Sequence, residues 1–368
     1  MDREIVVNGR FLTKTLTGVQ RYAFEVARRL PGSIKIITPQ PIAPEYRALL
    51  NAVIIDPLGR FVRGGGLGHL WEQVALPRWL RKGRVLWSPC GAGPLAVRNQ
   101  VVTIHDIAHL EHPEWFNSWF AKWYGFLIPR LVHRVRRIIT VSEFTKVRLI
   151  ETTRVPLEKV VVIPNGVDAC FQPQPSEEVA NVRKVLSIPT PNYVLTLGSL
   201  EPRKNLHRLL KAWGNICHKL PTEVWLVVVG GKGHSLVFQD ISFDKLPPRV
   251  YFTGYVPDKY LPALYSGALA FVYVSIYEGF GLPPLEAMAC GTPVVTSNIT
   301  SLPEVVGDAA VLVDPYNIEA IAWGIWKVLE DTSLREKLRS KGLERVREFT
   351  WDRTAELTWN VLKETGEN

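Results

Sequence analysis

Two carboxylates and one basic pair are the residues of this chain best suited to chemistry. The carboxylates stand in Tyr277-Glu278-Gly279-Phe280-Gly281-Leu282-Pro283-Pro284-Leu285-Glu286, and the cations are Arg203 and Lys204. The carboxylate run follows a very apolar stretch, Ala268–Ser275. A Gly-containing turn therefore leads from a strand into a helix opened by Pro283 and Pro284, where a missing N–H is tolerated. Amides of Gly279 to Leu282 at such a helix start suit a phosphate or pyrophosphate. Glu286 then falls in the first helical turn and Glu278 in the loop before it. Carboxylates accept hydrogen bonds from sugar and ribose hydroxyls; the plainer alternative is a helix-dipole carboxylate and an ordinary loop residue. Gly198-Ser199-Leu200-Glu201-Pro202-Arg203-Lys204-Asn205 closes another strand and puts both cations at a sheet's carboxyl edge, where a diphosphate would lie. A basic pair at a helix start opposes the macrodipole, so helix stability does not explain it.

The first half carries weaker signals. Gly18 joins the strand Ile5–Asn8 to the helix Val19–Leu30, can take a positive φ, and would let backbone approach a ligand. Val101–Asp106 ends a buried strand in His105-Asp106, again at the ligand edge, with capping or core packing as the alternative. Ser142 reads as a helix N-cap and Pro164-Asn165-Gly166 as a turn. Cys90, Cys170, Cys217 and Cys290 lack CxxC or metal-ligand spacing, which disfavours a disulfide framework or zinc site and favours a reducing compartment. G-x-S-x-G, Walker A, HExxH, RNP-like and finger-like signals are absent, so nucleic acid is not expected despite a pI near 9.4.

The elements that must position these residues alternate strand and helix throughout, the pattern of parallel α/β proteins. At 368 residues the chain suits two domains. Apolar runs predict six strands on each side of residue 170: Glu4–Asn8, Ser33–Thr38, Ala52–Ile55, Val85–Ser88, Val101–His105 and Arg137–Ser142, then Tyr193–Leu200, Val224–Gly230, Val250–Thr253, Ala268–Ser275, Thr292–Ser297 and Ala310–Val313. Helical periodicity covers Asn205–His218 and Ser333–Glu348. Two doubly wound domains, 1–170 and 171–349, are expected, with Cys170–Ser176 as the linker and a final amphipathic helix after Thr350. The net charge of +9 divides as +11 over residues 1–170 and −2 over the rest, which suggests that one half meets an anionic partner. The opening residues run into an Ile/Val strand without a signal peptide, and no apolar run approaches bilayer length, so a soluble or peripheral protein is expected. Trp115–Tyr124 leading into Arg130, Arg134, Arg136 and Arg137 forms an aromatic and basic helix suited to an anionic membrane. A second such patch comprises Trp71, Trp79, Arg78, Arg81, Lys82 and Arg84, preceded by the mobile-looking Gly64–Gly68.

Across essentially its whole length the chain resembles the retaining, nucleotide-sugar-dependent glycosyltransferases of family 4, bacterial mannosyl- and glucosyltransferases of the GT-B architecture. The resemblance is carried by Gly18–Tyr22, Thr103–Asp106, Thr140–Glu143, Ile163–Asp168, Gly198–Asn205 and, most specifically, Glu278–Glu286. It implies two Rossmann-like domains facing a central cleft, with the C-terminal helix crossing back to the first. Glu286 would hold the donor ribose, Glu278 the transferred sugar, and Phe280, Gly281 and Leu282 the sugar and diphosphate through their amides. Arg203 and Lys204 would neutralise the leaving diphosphate without metal or other cofactor. Gly18 would underlie the diphosphate, His105 would lie beside sugar and acceptor, and Asp106 would orient His105 or the acceptor. The nucleobase would be read by backbone around Val256. The implied reaction is front-face transfer with retention, most like GDP-mannose users, with a UDP-hexose donor as the alternative. The acceptor would be a saccharide or lipid-linked saccharide, handled by a cytoplasmic chain peripheral to the inner face of a membrane. Competing readings are a nucleotide-sugar 2-epimerase, which should lack the Arg-Lys-Asn and Glu-Gly-Phe-Gly runs, and a non-catalytic scaffold, which should have lost Glu278, Lys204 or His105.

Overall fold

Runs of Val, Ile and Leu too short for helices pair here as parallel strands, buried on both faces by the helices between them. The computed structural model describes every residue except 1–3, 15–16, 32–33, 41, 43–45, 47–48, 50–51, 59–64, 81–83, 199–200, 231–245 and 368. The chain divides into Met1–Gly166 with Trp351–Asn368, and Val167–Thr350.

In the first unit the strands are β1 (Ile5–Asn8), β2 (Ile34–Thr38), β3 (Val53–Ile55), β4 (Val85–Ser88), β5 (Gln100–Ile104), β6 (Arg137–Thr140) and β7 (Val160–Val162). They form a parallel sheet in the order β3-β2-β1-β4-β5-β6-β7. The second unit contributes β8 (Tyr193–Leu197), β9 (Trp225–Val229), β10 (Val250–Gly254), β11 (Ala270–Tyr273), β12 (Val294–Ser297) and β13 (Ala310–Val313), parallel in the order β10-β9-β8-β11-β12-β13. Chain progression reverses between β1 and β4 and again between β8 and β11. In open parallel sheets such reversals open a crevice outside the strands' carboxyl ends, the usual ligand position.

Each unit has its own core. In the second, the apolar face of the helix Leu206–Ile216 (Leu209, Trp213, Ile216) packs on Val228, Val272 and Ile325. In the first, Val7, Tyr22 and Trp87 are buried together with Trp351, Ala355 and Leu362 of the helix Trp351–Glu367. That final helix belongs to the first unit, and Thr354 Oγ1 donates to the Pro164 carbonyl there.

Several expectations need correction. The first sheet has seven strands, because the three-residue β7 extends it beyond β6. The crossing between units falls at Gly166 and Val167, ahead of Cys170–Ser176, since Val167 N donates to Phe349 O and bridges Thr350 within the second unit. Gly65–Gly68 open the helix Gly65–Val74, so those glycines are not a loop; Gly64, Arg81 and Lys82 lie outside the described residues. Trp71 is 3% exposed and donates from Nε1 to Asp56 Oδ2 at 2.9 Å, so it is a core residue and not part of a surface patch.

Candidate active site

The basic pair is positioned by its neighbour. Asn205 adopts a left-handed conformation (φ +61°) and is fully buried. Its Nδ2 donates to the Val274 carbonyl at 3.0 Å and the Pro315 carbonyl at 2.7 Å. This clamp ties the 3-10 turn Pro202–Lys204 to the ends of β11 and β13 and presents both cations at the β8–β11 reversal.

The same reversal holds Glu278, in the loop after β11. Its Oε1 accepts from Lys204 Nζ at 2.6 Å, Tyr273 OH at 2.7 Å and Ser275 Oγ at 2.7 Å. Its Oε2 faces Arg203 Nη1 at 3.4 Å, and Arg203 Nε pairs with Glu201 at 2.6 Å. One oxygen of Glu278 is thus committed to the protein, and the other remains the more available acceptor. Burial alone would raise this carboxyl, but the Lys204 and Arg203 charges and the hydrogen bonds from Lys204 and Ser275 hold it at about 2. Burial and the neighbouring Arg203 pull Lys204 below the ordinary lysine range, against the Glu278 charge. Burial beside the carboxylate keeps Tyr273 a neutral donor, far above the usual phenol range. An ionised Glu278 at neutral pH can bind hydroxyls or stabilise positive charge; it cannot serve as a general acid.

The Gly279–Glu286 segment brings the other predicted residues to this edge. Ser301 Oγ lies 2.7 Å from the Phe280 carbonyl and 2.9 Å from the Glu278 carbonyl, which turns the loop's oxygens inward. Phe280 is buried against Phe349, so it offers backbone and not its ring. Gly281 sits at φ +110°, and a Cβ there would lie 2.7 Å from Leu302 Cδ2, so only glycine fits. The helix runs Leu282–Ala289, one residue earlier than expected. Pro283 and Pro284 therefore remove amides from its first turn, and Gly281 and Leu282 carry the donors that remain there. Glu286 consequently opens the second turn instead of the first, and its Oε2 accepts from Tyr265 OH at 3.1 Å. Val256 follows β10 at the same carboxyl edge, with its side chain buried.

His105, Asp106 and Gly18 belong to the first unit. His105 Nε2 donates to the Pro89 carbonyl at 2.7 Å, since a carbonyl can only accept, which leaves Nδ1 as an acceptor. Burial lowers its pKa, so the ring is neutral at pH 7. Its ring meets Tyr22 edge-on at 4.7 Å. Asp106 accepts from Ala108 N at 3.1 Å, which closes a turn just ahead of the short helix Ala108–Glu111. Gly18 is the first residue of the helix Gly18–Ala27 and lies outside the left-handed region, so its predicted positive φ is not used. Ser142 caps its helix as expected, accepting from Thr145 N at 3.0 Å. Tyr273, Ser275 and Asn205 were not singled out by sequence. Their signal was present: Tyr273 and Ser275 alternate on one side of the strand that ends at the Glu278 loop.

Comparison with known proteins follows the two units. Residues 16–171 match the family Glycosyltransferase Family 4, and residues 178–345 match Glycosyl transferases group 1. The chain is 31% identical to O-antigen chain mannosyltransferase B of Escherichia coli over 95% of this chain and 96% of that protein. It is 34% identical to O-antigen chain mannosyltransferase RfbU of Salmonella typhimurium, over 60% of this chain and 58% of that one. In structure it is similar to HepE of Anabaena, solved with UDP and glucose, with a TM-score of 0.76, 20% identity and coverage of 98% and 100% of the two chains. Sucrose-phosphate synthase of Thermosynechococcus elongatus gives a TM-score of 0.74 at 20% identity, covering 98% of each chain. The paired parallel sheets, the Arg203-Lys204-Glu278 cluster at a chain reversal and these matches converge: the chain belongs to the family 4 glycosyltransferases of the GT-B architecture.

Proposed function

We propose that the protein transfers mannose from GDP-mannose, with retention at the anomeric carbon, to a saccharide or lipid-linked saccharide in polysaccharide or lipopolysaccharide assembly. The observation that carries the transferase chemistry is the Lys204–Glu278 contact at 2.6 Å, with Arg203 on the other carboxylate oxygen. The two cations stabilise the charge that develops on the departing diphosphate, so the reaction proceeds without a metal. The amides of Phe280, Gly281 and Leu282 bind the diphosphate and sugar, and Glu286 binds the ribose hydroxyls. Glu278, ionised throughout the working pH range, uses Oε2 for the sugar hydroxyls near the reacting carbon. His105 accepts a hydrogen bond at Nδ1 from the sugar or acceptor, with Asp106 shaping the turn beside it. Neither Glu278 nor Glu286 is a nucleophile in this scheme, so displacement proceeds on the face the diphosphate leaves, through an ion-paired oxocarbenium-like state. The mannose assignment rests on the similarity to the two O-antigen mannosyltransferases.

A UDP-hexose donor is the second reading, supported by the likeness to HepE, a protein solved with UDP-glucose. Incubation with GDP-mannose, UDP-glucose and UDP-N-acetylglucosamine, followed by nucleoside diphosphate release, separates the two. GDP-mannose cleavage at least tenfold faster supports the first, the reverse order the second, and no cleavage of any donor leaves a scaffold. NMR of the product anomeric configuration tests retention, and activity undiminished by EDTA tests metal independence.

For the acceptor side we infer a membrane-facing surface on the helix Ser118–Arg134. Trp119 and Phe126 are 56% and 48% exposed, Lys122, Arg130 and Arg134 are exposed beside them, and Arg130 lies over the Phe126 ring at 3.9 Å. Aromatics interleaved with cations suit anionic headgroups. No helix among the described residues is long and apolar enough to cross a membrane. Pelleting with anionic but not zwitterionic vesicles at low salt is expected; no pelleting with either refutes the inference.

A further inference from the structure

The first sheet has a reversal of its own, between β1 and β4, and a pocket opens there. It is small and partly open, about 40 Å³, room for a compact group, and Asn8, Arg10, Lys14, Gln20, Glu72 and Tyr124 line it. Its ionic content is unusual for a chain interior. Arg10 and Glu72 are 8% and 1% exposed, and Arg10 Nη1 stands 3.1 Å from Glu72 Oε2. Asn8 Nδ2 donates to Glu72 Oε1 at 2.6 Å. Arg10 Nη1 also lies 2.6 Å from His69 Nδ1, to which Trp123 Nε1 donates at 3.2 Å. With two donors on Nδ1, His69 is neutral there and supplies no negative charge. Burial opposes the Glu72 charge, but the Arg10 charge and the hydrogen bond from Asn8 hold its carboxyl below the usual range.

Glu72 makes its close ion pair with Arg10. Lys14 shares the pocket and forms no ion pair among the described residues. Arg10 and Lys14 thus line one concave space, where burial first and then the Arg10 charge push the Lys14 ammonium below the ordinary lysine range. A purely structural ion pair needs Arg10 and Glu72 alone; it does not need a second cation beside them. A guanidinium locked in place by Glu72 and His69 is a pre-organised fork for a planar or tetrahedral oxyanion. The pocket also touches the residue read as lying beside the sugar: Pro89, part of its lining, carries the carbonyl that holds His105 Nε2.

We propose that this pocket binds an oxyanion, a phosphate or carboxylate group of the saccharide acceptor, with Arg10 and Lys14 as its ligands. The word acceptor rests on the transferase reading above; anion binding by the pocket does not.

The test is calorimetric titration of the whole chain saturated with GDP, so that Arg203 and Lys204 are occupied, using inorganic phosphate, glucuronate and neutral methyl mannoside as probes. At least one anion should bind, at least tenfold more weakly to Lys14→Met, with an unchanged melting temperature and unchanged GDP affinity. Lys14 is the variant of choice because it is exposed in part and its loss strands no buried partner, whereas removing Arg10 leaves Glu72 uncompensated. Phosphate binding alone indicates a phosphorylated acceptor, glucuronate binding alone an acidic sugar; both support the site. Equal anion affinity in wild type and Lys14→Met, no anion binding, or methyl mannoside bound more tightly than either anion would overturn it. If GDP and UDP both fail to bind while glucuronate still requires Lys14, the transferase reading falls and the anion site stands.

Discussion

Lys204→Met separates the structural from the chemical work of the basic pair. The substitution keeps the length and apolar stem of the side chain and deletes the charge 2.6 Å from Glu278. Both partners are largely buried, at 14% and 10% side-chain exposure, so the carboxylate is left in a poorly solvated place. Breaking such a pair from one side costs roughly 3–5 kcal/mol. Tyr273 and Ser275 still donate to the same oxygen and Arg203 remains at 3.4 Å, which argues for the low end, about 3 kcal/mol. In a unit of this size that corresponds to a fall of roughly 6–12 °C in melting temperature. Turnover should drop further, by about 10²–10³-fold, the usual effect of deleting one pre-organised stabiliser of developing negative charge. Calorimetry and nucleoside diphosphate release with saturating donor measure the two effects. The double variant Lys204→Met with Glu278→Gln removes the stranded charge, and should recover most of the lost stability but none of the lost rate. Turnover within tenfold of wild type for the folded single variant, or recovery of rate in the double variant, refutes the assignment of Lys204 to the leaving group.

Three other outcomes are expected. Asn205→Ala leaves the Val274 and Pro315 carbonyls without their donor and should cost about 2–4 kcal/mol by denaturant unfolding, with kcat falling more than KM rises. Gly281→Ala forces a Cβ to 2.7 Å from Leu302 at φ +110°, and should destabilise by about 1–3 kcal/mol and raise the donor KM severalfold in steady-state kinetics. Burial depresses the pKa of His69, His105 and His109, so below the ordinary value of 6.5 the unfolded chain takes up protons that the native one refuses. Stability is therefore full above 6.5 and falls as pH drops, while the Glu278 contribution, present above 4.5, is lost only on approach to about 2. A melting temperature that stays flat from pH 8 to about 5.5 contradicts this.

The sheets were legible because parallel strands buried on both faces read as unbroken apolar runs; β8 to β13 each lie within a predicted stretch except that β10 runs one residue further, to Gly254. β7 escaped because three residues after the 3-10 turn Leu157–Lys159 give no period to detect. The Glu278–Glu286 run was readable from its composition, but the register of its helix was not. Leu282 precedes the prolines in the helix, and that single residue moves Glu286 from the first turn to the second. Trp71 looks like surface in a basic neighbourhood, but it packs with Val6, Ile37 and Leu86 from distant strands while Asp56 accepts its Nε1–H. The Arg10–Glu72–His69 cluster joins Arg10 to His69, 59 positions away, and to Glu72 on the same helix as His69, which no local pattern encodes. Likewise, Asn205 sits in a motif read for its cations, while its amide does the positioning.

The helix Trp351–Glu367 has a consequence for synthesis as well as for packing. Trp351 and Leu362 fill the core beside Val7, Tyr22 and Trp87, so the first unit is discontinuous in sequence. A ribosome that has released residues 1–166 has released an incomplete core, with the groove for Trp351 and Leu362 still open. The second unit is continuous from Val167 to Thr350 and can close first, reversing the usual order in which domains mature as they emerge. Until that helix arrives, Tyr22 and Trp87 stay exposed, and with them the surroundings of His105.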